Sequence, residues 1–285
     1  MKILVFGQHG QVANEIAIAS LKKNFSLEFL NRSKIDLLNP SLCAEIIYQK
    51  KPDAVINCAA WTDVDGAETS EDLASIINGS SPGNMASSCA SLSIPFLHYS
   101  SDYVFDGSGN EPWQPNDKVN PLSAYGRSKV LGERLILESG AQAIIMRTSW
   151  IFSSHGRNFV KTMLKLGKEN NVLRVVSDQV GAPTSAESIA FASLKIIEIL
   201  KNGGDKGIVH FSGTPYVSWD IFARKIMKIA NITCKIESVL SRDYPALAPR
   251  PLNSKLEDST LLKFFNIERP NWEKDLQDVI LKLNG

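Results

Sequence analysis

The sequence is poor in cysteine, has no long uninterrupted hydrophobic run and carries almost no net charge. Its cysteines, Cys43, Cys58, Cys89 and Cys234, form no Cys-x-x-Cys motif and no paired spacing, which disfavours a disulfide framework and a zinc site. No apolar run reaches the roughly 18 residues that a membrane-spanning helix needs. A net charge of +1 gives no electrostatic footprint for nucleic acid or for an anionic membrane. We therefore expect no membrane partner and no nucleic-acid partner.

What the sequence does contain is enough apolar material for a full core. Of its 285 residues, 44% are hydrophobic and 21% are charged, which is typical of a soluble globular protein. This length suits one large α/β domain or two modest ones. Because the chain opens directly into an apolar strand-like segment, nothing resembles a signal peptide, and we expect a cytoplasmic protein whose cysteines are small core residues.

The N-terminal segment has the pattern of a phosphate-binding turn. Lys2–Phe6 is rich in β-forming residues and predicts a buried parallel strand. Gly7, Gly10 and Ala13 follow at three-residue spacing and lead into a predicted helix over 14–21. Such glycines allow close backbone approach, and a helix N-terminus offers free N–H groups to a pyrophosphate. An ordinary glycine turn between a strand and a helix is the alternative interpretation.

The second predicted strand, 27–30, ends at Asn31 and Arg32. An acidic residue at this position normally holds both ribose hydroxyls of NAD. Asn31 lacks the charge that would repel a 2′-phosphate, and the Arg32 guanidinium could clamp one. This favours NADPH, or tolerance of both NADPH and NADH. The alternative is that Arg32 is a solvated loop residue.

Alternating strand and helix patterns continue as far as Trp150. Further strands are predicted at 52–60, 95–100 and 143–150, and 71–91 is helical in character. This alternation predicts an α/β fold with a Rossmann-type doubly wound parallel sheet over residues 1–150. Residues 151–285 are less regular, with helices predicted at 159–169, 188–201, 219–229 and 272–283, a strand at 173–176 and an extended segment at 250–254. We expect them to form a smaller, intimately packed C-terminal substrate-binding lobe of mixed α/β structure.

Tyr125 and Lys129 begin a predicted helix and lie four residues apart, so their side chains share one face. A phenol has an unperturbed pKa near ~10, and an adjacent ammonium lowers that pKa, so the pair can exchange a proton. Ser101 lies at the tip of the preceding strand, on the same sheet edge as Gly7. Two hydroxyls there could stabilise a ketone oxygen as hydride arrives, one of them delivering a proton. A half-buried tyrosine beside a solvated lysine is the alternative.

These signals occur in the order and spacing of the extended short-chain dehydrogenase/reductase superfamily, and the chain resembles its dTDP-4-dehydrorhamnose reductase family. The resemblance rests on motifs such as Ser-Asp-Tyr at 101–103 and Arg-Thr-Ser-Trp at 147–150. Further matching segments lie at 6–12, 57–65, 98–105, 125–129, 179–184 and 250–254. The resemblance implies NAD(P)H-dependent reduction of the C4 ketone of dTDP-4-dehydro-6-deoxy-L-mannose to dTDP-L-rhamnose. It also implies a dTDP-sugar as substrate and allows a homodimer.

The resemblance also assigns roles to individual residues. It makes Tyr125 the proton donor, lets Lys129 lower the tyrosine pKa and hold the nicotinamide ribose, and directs the Ser101 hydroxyl to the substrate carbonyl oxygen. The other implied cofactor-binding residues are Gly7, Gly10, Gln11 and Val12 at the turn, Asn31 and Arg32 near the adenosine ribose, Asp36 and Leu37 near the adenine, and Ala60, Trp61 and Thr62 near the ribose and phosphates. The implied substrate-binding residues are Ser101, Asp102, Trp150 and Arg250. A core aromatic is the alternative for Trp150, and a surface charge for Arg250.

The sequence departs from the family pattern at three positions. Ser101 replaces the usual threonine, Asn31 replaces the usual aspartate, and Ala13 replaces the usual third glycine; none of these changes removes a catalytic group. Some members respond to Mg²⁺ through acidic residues at a dimer contact, for which Glu15 and Glu187 are candidates by position. A solvated helix carboxylate is the preferred interpretation of each, and we assign no metal ligand.

Two other functions remain open at the level of sequence. One is a non-catalytic, dinucleotide-binding regulatory subunit, because the regulatory β-subunit of methionine adenosyltransferase resembles the same branch and works by protein–protein contact. The other is a 4-ketoreductase acting on a different dTDP-deoxysugar, since side chains of the C-terminal lobe would set the sugar stereochemistry.

Overall fold

A computed structural model describes residues 1–21, 23 and 25–284 of the chain. Its strands are β1 (Lys2–Phe6), β2 (Ser26–Leu30), β3 (Ala54–Asn57), β4 (Phe96–Ser101), β5 (Ala143–Thr148), β6 (Ile151–Phe152), β7 (Val172–Val176), β8 (Val180–Gly181), β9 (Thr184–Ser185), β10 (Gly207–His210), β11 (Val217–Ser218) and β12 (Lys235–Val239). Its helices are α1 (Gln11–Ser20), α2 (Pro40–Lys50), α3 (Val64–Glu68), α4 (Glu71–Ser75), α5 (Ser81–Ser91), α6 (Ala124–Glu138), α7 (Phe159–Glu169), α8 (Ala186–Lys201), α9 (Trp219–Ile229), α10 (Ser259–Phe265) and α11 (Trp272–Asn284). A π-helical turn, Ile76–Ser80, joins α4 to α5, and the 3-10 turns are Asp102–Val104 and Ser241–Asp243.

The central sheet is parallel and has the strand order β10-β5-β4-β3-β1-β2. The chain starts at β1, moves outward to β2, and then returns to build β3, β4 and β5 on the other side. Parallel sheets of this kind bind ligands at the carboxyl ends of their strands, where the direction of winding reverses. The predicted fold class, a doubly wound parallel α/β sheet, is confirmed.

The strands of the sheet are buried on both faces, as their near-continuous hydrophobic sequences predict. In β1, Ile3 and Val5 belong to the core shared with α1 and α8, whereas Leu4 and Phe6 belong to the core shared with α2, α5 and α6. The four cysteines are free, and three of them are buried, as expected for small apolar residues. Helices therefore cover both faces and leave the strand ends open for a site.

The C-terminal part is built differently, with a core of its own and three small sheets. β12 pairs with β7, β11 with β8 and β6 with β9. Phe152, Phe222 and Trp272 are buried at the centre of this core. β10 and α8 lie after residue 150, yet β10 forms the edge of the central sheet and α8 covers one of its faces. The division at residue 150 stays a prediction.

Several boundaries differ from those that the sequence predicts. The strand predicted to reach Trp150 ends at Thr148, because Trp150 adopts a left-handed backbone with φ +48° and leaves the sheet. The helix predicted across 71–91 is interrupted by the π turn Ile76–Ser80. The sequence did not predict α2, β10, β12 or α10. β1, α7 and α9 have the predicted bounds.

Candidate active site

The turn after β1 requires a glycine at Gly7 and has free space around Gly10. Gly7 has φ +91°, and a Cβ there would lie 3.1 Å from the backbone nitrogen of Ala59. Around Gly10 nothing lies within 4 Å of an added Cβ. Gly10 caps α1 without a side-chain hydrogen bond, so the N-cap residue does not satisfy the first N–H groups of the helix. This geometry suits an anion such as a pyrophosphate. Gln11 and Val12 form the first turn of that helix.

The side-chain amide of Asn31 links the end of β2 to this turn by a hydrogen bond. Asn31 Nδ2 donates to Gln8 Oε1 at 3.0 Å, and its Oδ1 accepts from the Ser33 hydroxyl at 2.6 Å. Arg32 is exposed next to it. Asp36 is exposed and accepts from the Leu38 N–H at 3.0 Å. The assignment of these residues to an adenosine site stays a prediction. Leu37 follows Asp36 and is partly buried.

Asn78 connects the segment after β3 to the helix that carries Tyr125. Its Oδ1 accepts from the Trp61 N–H at 2.9 Å, and its Nδ2 donates to the Trp61 carbonyl and to the Ser128 hydroxyl, both at 3.0 Å. The Ser128 hydroxyl in turn donates to the Tyr125 carbonyl at 2.7 Å. Asn78 lies in the π turn, and sequence reasoning missed it. Its fixed position orients the Ala60–Thr62 segment, where Thr62 is exposed and Ala60 is partly buried.

Helix α6 brings Tyr125 and Lys129 to the end of β4. Ser123 caps the helix by accepting from the Gly126 N–H at 3.2 Å. A Cβ on Gly126 would lie 2.2 Å from the Tyr103 carbonyl oxygen, so this glycine allows the helix to approach the chain that leaves β4. The Tyr125 and Tyr103 rings meet edge to face with centroids 5.6 Å apart.

The Ser101 hydroxyl meets two other groups at the tip of β4. It donates to Asp102 Oδ1 at 2.8 Å and accepts from the Tyr103 N–H at 3.1 Å. Burial raises the pKa of the Tyr125 phenol well above its usual value; a hydrogen bond with the Ser101 hydroxyl opposes the shift, and the Asp102 charge adds to it. Ser101, Asp102 and Tyr125 are therefore brought together, as the sequence predicts.

Lys129 is buried in α6 and contacts the backbone of β4. Its Nζ donates to the Tyr99 carbonyl at 2.8 Å, and burial lowers the pKa of this ammonium to about 8, against the opposing charge of Glu133. The role predicted for Lys129, lowering the pKa of Tyr125, stays a prediction. Desolvation of the phenolate is the largest effect on Tyr125 in this structure, and it raises the tyrosine pKa. Tyr125 is thus held in its protonated form.

A cavity of about 740 Å³ begins at Tyr103, whose ring contacts that of Tyr125. Its lining contains Tyr103, three arginines and an aromatic and apolar wall from the C-terminal part; the arginines are Arg174, Arg242 and Arg250, and the wall includes Phe159, Met163, Trp219 and Pro245. Guanidinium groups bind phosphates, and aromatic faces accept flat rings. The cavity has the chemistry that a nucleoside diphosphate requires.

The two remaining predicted substrate residues, Arg250 and Trp150, lie in different settings. Arg250 lines the cavity, and its Nη2 pairs with Asp65 Oδ2 at 2.8 Å. Trp150 stacks on Trp219, with ring centroids 3.6 Å apart and planes 13° from parallel. Trp150 therefore supports the wall of the cavity through Trp219.

The whole chain matches a known family. Residues 1–284 match the family model described as the RmlD substrate binding domain. The chain belongs to the RmlD substrate binding domain family. Among curated members, the dTDP-4-dehydrorhamnose reductase of Burkholderia thailandensis is 38% identical over 285 residues, covering 95% of each chain. The RmlD-type chain therefore resembles such members over nearly its full length.

Solved structures of similar proteins have the same architecture. A crystal structure of a dTDP-4-dehydrorhamnose reductase from Clostridium acetobutylicum is 37% identical, covers 100% of both chains and superposes with a TM-score of 0.94. The dTDP-4-dehydrorhamnose reductase from Bacillus anthracis, solved in complex with NADP, is 31% identical, with a TM-score of 0.93 and 99% of each chain covered. The RmlD fold predicted from the motifs is thus confirmed across both parts of the chain.

The two acidic residues considered for a response to Mg²⁺, Glu15 and Glu187, differ in their burial. Glu15 is 3% exposed, so the prediction that it is a solvated helix carboxylate is wrong; α1 turns it toward His155, 3.7 Å away, and burial raises its pKa. Glu187 is exposed and pairs with Lys282 at 2.6 Å. Among the described residues, no group of three or more histidines, cysteines and acids is placed to hold a metal ion. Within the same residues, no helix is both long enough and apolar enough to cross a bilayer.

Proposed function

We propose that this protein reduces the C4 ketone of dTDP-4-dehydro-6-deoxy-L-mannose to dTDP-L-rhamnose, using NADPH or NADH. One observation carries the proposal: the Tyr125 phenol faces the Ser101 hydroxyl at the end of β4, and Tyr103, whose ring contacts Tyr125, lines a cavity that also contains arginines and aromatic rings. The curated relatives that are named dTDP-4-dehydrorhamnose reductase support the reaction.

Tyr125 is the proton donor in this proposal. Because burial keeps its phenol protonated, the residue has a proton to give when negative charge develops on the ketone oxygen. Ser101 supplies a second hydroxyl to the same oxygen. Lys129 has a buried ammonium within the same helix, and we assign it to the nicotinamide ribose and to the stabilisation of the tyrosinate that remains after proton transfer.

The residues around the glycine turn fit a nicotinamide dinucleotide. The uncapped N-terminus of α1 and the open space at Gly10 suit a pyrophosphate, which Gln11 and Val12 would flank. Asn31 and Arg32 would lie at the adenosine ribose. When bound, the cofactor supplies the hydride. The neutral amide at Asn31 accepts a 2′-phosphate more readily than a carboxylate would, so we propose NADPH as the preferred cofactor.

The cavity would take the dTDP part of the substrate. Arg174, Arg242 and Arg250 can neutralise the diphosphate, and Trp219 with Phe159 offers aromatic faces to the base. Asp102 contacts the Ser101 hydroxyl and directly precedes Tyr103, which lines the cavity. The C-terminal part, 151–285, is then the substrate-binding lobe, and 1–150 the cofactor-binding domain, completed by β10 and α8.

A homodimer is also proposed, on the outer face of α1, α8 and α11. Ile18 in α1, Leu21 at its C-cap, Phe191 in α8 and Leu281 in α11 have exposed side chains. α1 packs on α8, and the Glu187–Lys282 pair joins α8 to α11, so we assign these apolar side chains to one interaction surface. Light scattering of the protein and of a Phe191→Glu variant tests this point, with loss of the dimer expected for the variant. The cytoplasmic location stays a prediction.

The experiment that tests the function measures oxidation of NADPH and of NADH with the 4-keto sugar nucleotide generated in place, followed by identification of the product. Oxidation that yields dTDP-L-rhamnose supports the proposal. Turnover of another dTDP-deoxysugar alone would instead identify a related 4-ketoreductase. Cofactor binding without turnover, together with a co-purifying enzyme, would identify a regulatory subunit.

A further inference from the structure

The carboxyl group of Asp102 is buried in a way that disfavours its charged form. The residue is 2% exposed. Oδ1 accepts from the Ser101 hydroxyl at 2.8 Å, whereas Oδ2 is inaccessible and makes no hydrogen bond among the described residues; the Ser254 hydroxyl lies near the carboxyl group but outside hydrogen-bonding distance of Oδ2. A buried carboxylate oxygen without a donor is costly, but the carbonyl oxygen of a neutral carboxylic acid is far less so. The geometry therefore favours a proton on Asp102.

The same hydrogen bond limits what Ser101 can do. A serine hydroxyl has one proton to donate and two lone pairs that accept. Here the proton is directed to Asp102, and one lone pair accepts from the Tyr103 N–H at 3.1 Å. If Asp102 is ionised, Ser101 can donate to a substrate ketone only by leaving the buried carboxylate unpaired. If Asp102 is neutral, its carboxylic acid O–H can donate to the Ser101 hydroxyl, and the direction of the Ser101–Asp102 hydrogen bond is reversed.

We propose that Asp102 acts as a neutral carboxylic acid that donates a hydrogen bond to Ser101 and so frees the Ser101 proton for the substrate ketone. This inference rests on the proposed function, and it makes Asp102 a positioning residue. In the reversed arrangement Ser101 accepts from Asp102 and from the Tyr103 N–H and donates to the ketone oxygen, while the Tyr125 phenol, which faces Ser101, turns to donate to the same ketone oxygen. The proton that completes the alcohol still comes from Tyr125, and Asp102 keeps its own proton.

The surroundings of Asp102 agree with this role. Burial raises the pKa of Asp102 to about 6, and the Ser254 and Ser101 hydroxyls offset the effect only in part. The titratable groups that interact with it are the Tyr103 phenol, from the turn after β4, and the Tyr125 phenol, from α6. The Arg250 guanidinium, from the segment before α10, reaches Tyr103, and the Lys129 ammonium of α6 donates to the Tyr99 carbonyl. The neutral fraction of Asp102 decreases as the pH rises through its pKa, so activity should decrease in the same direction.

The test compares the pH dependence of kcat/KM for the wild type, Asp102→Asn and Asp102→Ala. For the wild type we expect kcat/KM to fall with rising pH, by up to about tenfold per pH unit above the pKa. An asparagine amide donates to Ser101 at every pH, so Asp102→Asn should lose this limb and keep kcat/KM at pH ~6 within about tenfold of the wild type. Asp102→Ala has no donor and should lose more than about tenfold at the same pH.

Three results would overturn the inference: a wild-type profile without the limb, an Asp102→Asn profile that retains it, or full activity in Asp102→Ala. If the asparagine variant does not fold, Ser101→Ala serves instead. Removal of the Ser101 hydroxyl should also remove the decrease of kcat/KM with rising pH. If Ser101→Ala retains that decrease, Asp102 does not act through Ser101. The protonation of Asp102 is measured directly by the carboxylic acid C=O stretch in the infrared difference spectrum between the wild type and Asp102→Asn, and we expect this band to be present in the wild type. Absence of wild-type turnover at every pH would refute the proposed function instead, while this infrared signal would still report on Asp102.

Discussion

The guanidinium of Arg147 in β5 donates two hydrogen bonds to the carboxylate of Glu133 in α6, at 2.8 and 2.7 Å. Both side chains are almost completely buried, with 2% and 5% of their surface exposed. Arg147 also donates to the Pro115 carbonyl at 3.1 Å. Because Glu133 lies one turn beyond Lys129, this ion pair anchors the catalytic helix to the sheet.

Replacing Glu133 by glutamine should therefore destabilise the protein strongly. The variant would leave the Arg147 charge buried without its counterion, and loss of one partner from a buried pair costs about 3–5 kcal/mol. Urea unfolding measures this change. Glu138→Gln in the same helix is the matched control, because its pair with Arg134 is exposed and 3.8 Å long, so little change is expected. Equal effects of the two variants would show that the buried pair does not anchor α6.

Tyr125→Phe should abolish turnover while leaving the cofactor bound. Loss of a positioned proton donor lowers the rate by about 10²–10⁴-fold. Reductase assays and fluorescence titration with NADPH measure the two effects separately. Tyr99→Phe is the control, since it also removes a buried hydroxyl, one that contacts Ser193. Turnover by Tyr125→Phe at the rate of this control would exclude Tyr125 as the donor.

Gly7→Ala should lower the stability of the fold, whereas Gly10→Ala should lower the affinity for the cofactor. At Gly7 the φ of +91° and the approach of Ala59 make alanine strained, which should destabilise the fold by roughly 1–3 kcal/mol. At Gly10 the added methyl meets nothing in the protein, so stability should change by about 1 kcal/mol or less. The Gly10 variant should nevertheless bind NADPH more weakly, because the methyl fills the space in front of α1. Thermal unfolding measures the stability of each variant, and calorimetric titration measures its affinity for NADPH. Wild-type affinity in Gly10→Ala would show that the pyrophosphate binds elsewhere.

Asn31→Asp should shift the cofactor preference from NADPH toward NADH. A carboxylate at the end of β2 repels a 2′-phosphate and can accept from ribose hydroxyls instead. The ratio of kcat/KM for the two cofactors should change by about tenfold, or roughly 1.4 kcal/mol. Asn39→Asp introduces the same charge at the N-cap of α2 and should leave the ratio unaltered. An unchanged ratio in Asn31→Asp would place the ribose away from Asn31.

The parts of the site that could be predicted are those encoded locally. Ser101 follows a recognisable strand, Gly7 and Gly10 follow another, and Tyr125 and Lys129 share a helix face by spacing alone. α2 also had a local signal that was missed, since Asn39 caps it and Pro40 occupies its first turn.

Other features depend on contacts between distant segments. Glu15 reads as a solvated helix carboxylate, and only the approach of His155 and of α11 buries it. The raised pKa of Tyr125 comes from burial, which no spacing reveals. β10 contains only four residues and is recognised as the edge of the sheet through its pairing with β5.

The π turn at Ile76–Ser80 determines how α4 and α5, the helices on either side of it, are rotated about their axes relative to one another. An α-helix rotates by about 100° per residue, and a π turn accommodates one additional residue in that path. Removal of one residue here would rotate either Asn78 away from Trp61 or the buried face of α5 away from the sheet. The number of residues between β3 and β4 is therefore constrained at this point. Apart from Asn78, which binds Trp61 and Ser128, and Gly79, where a Cβ would meet Leu131, point substitutions in the turn should be better tolerated than a single deletion.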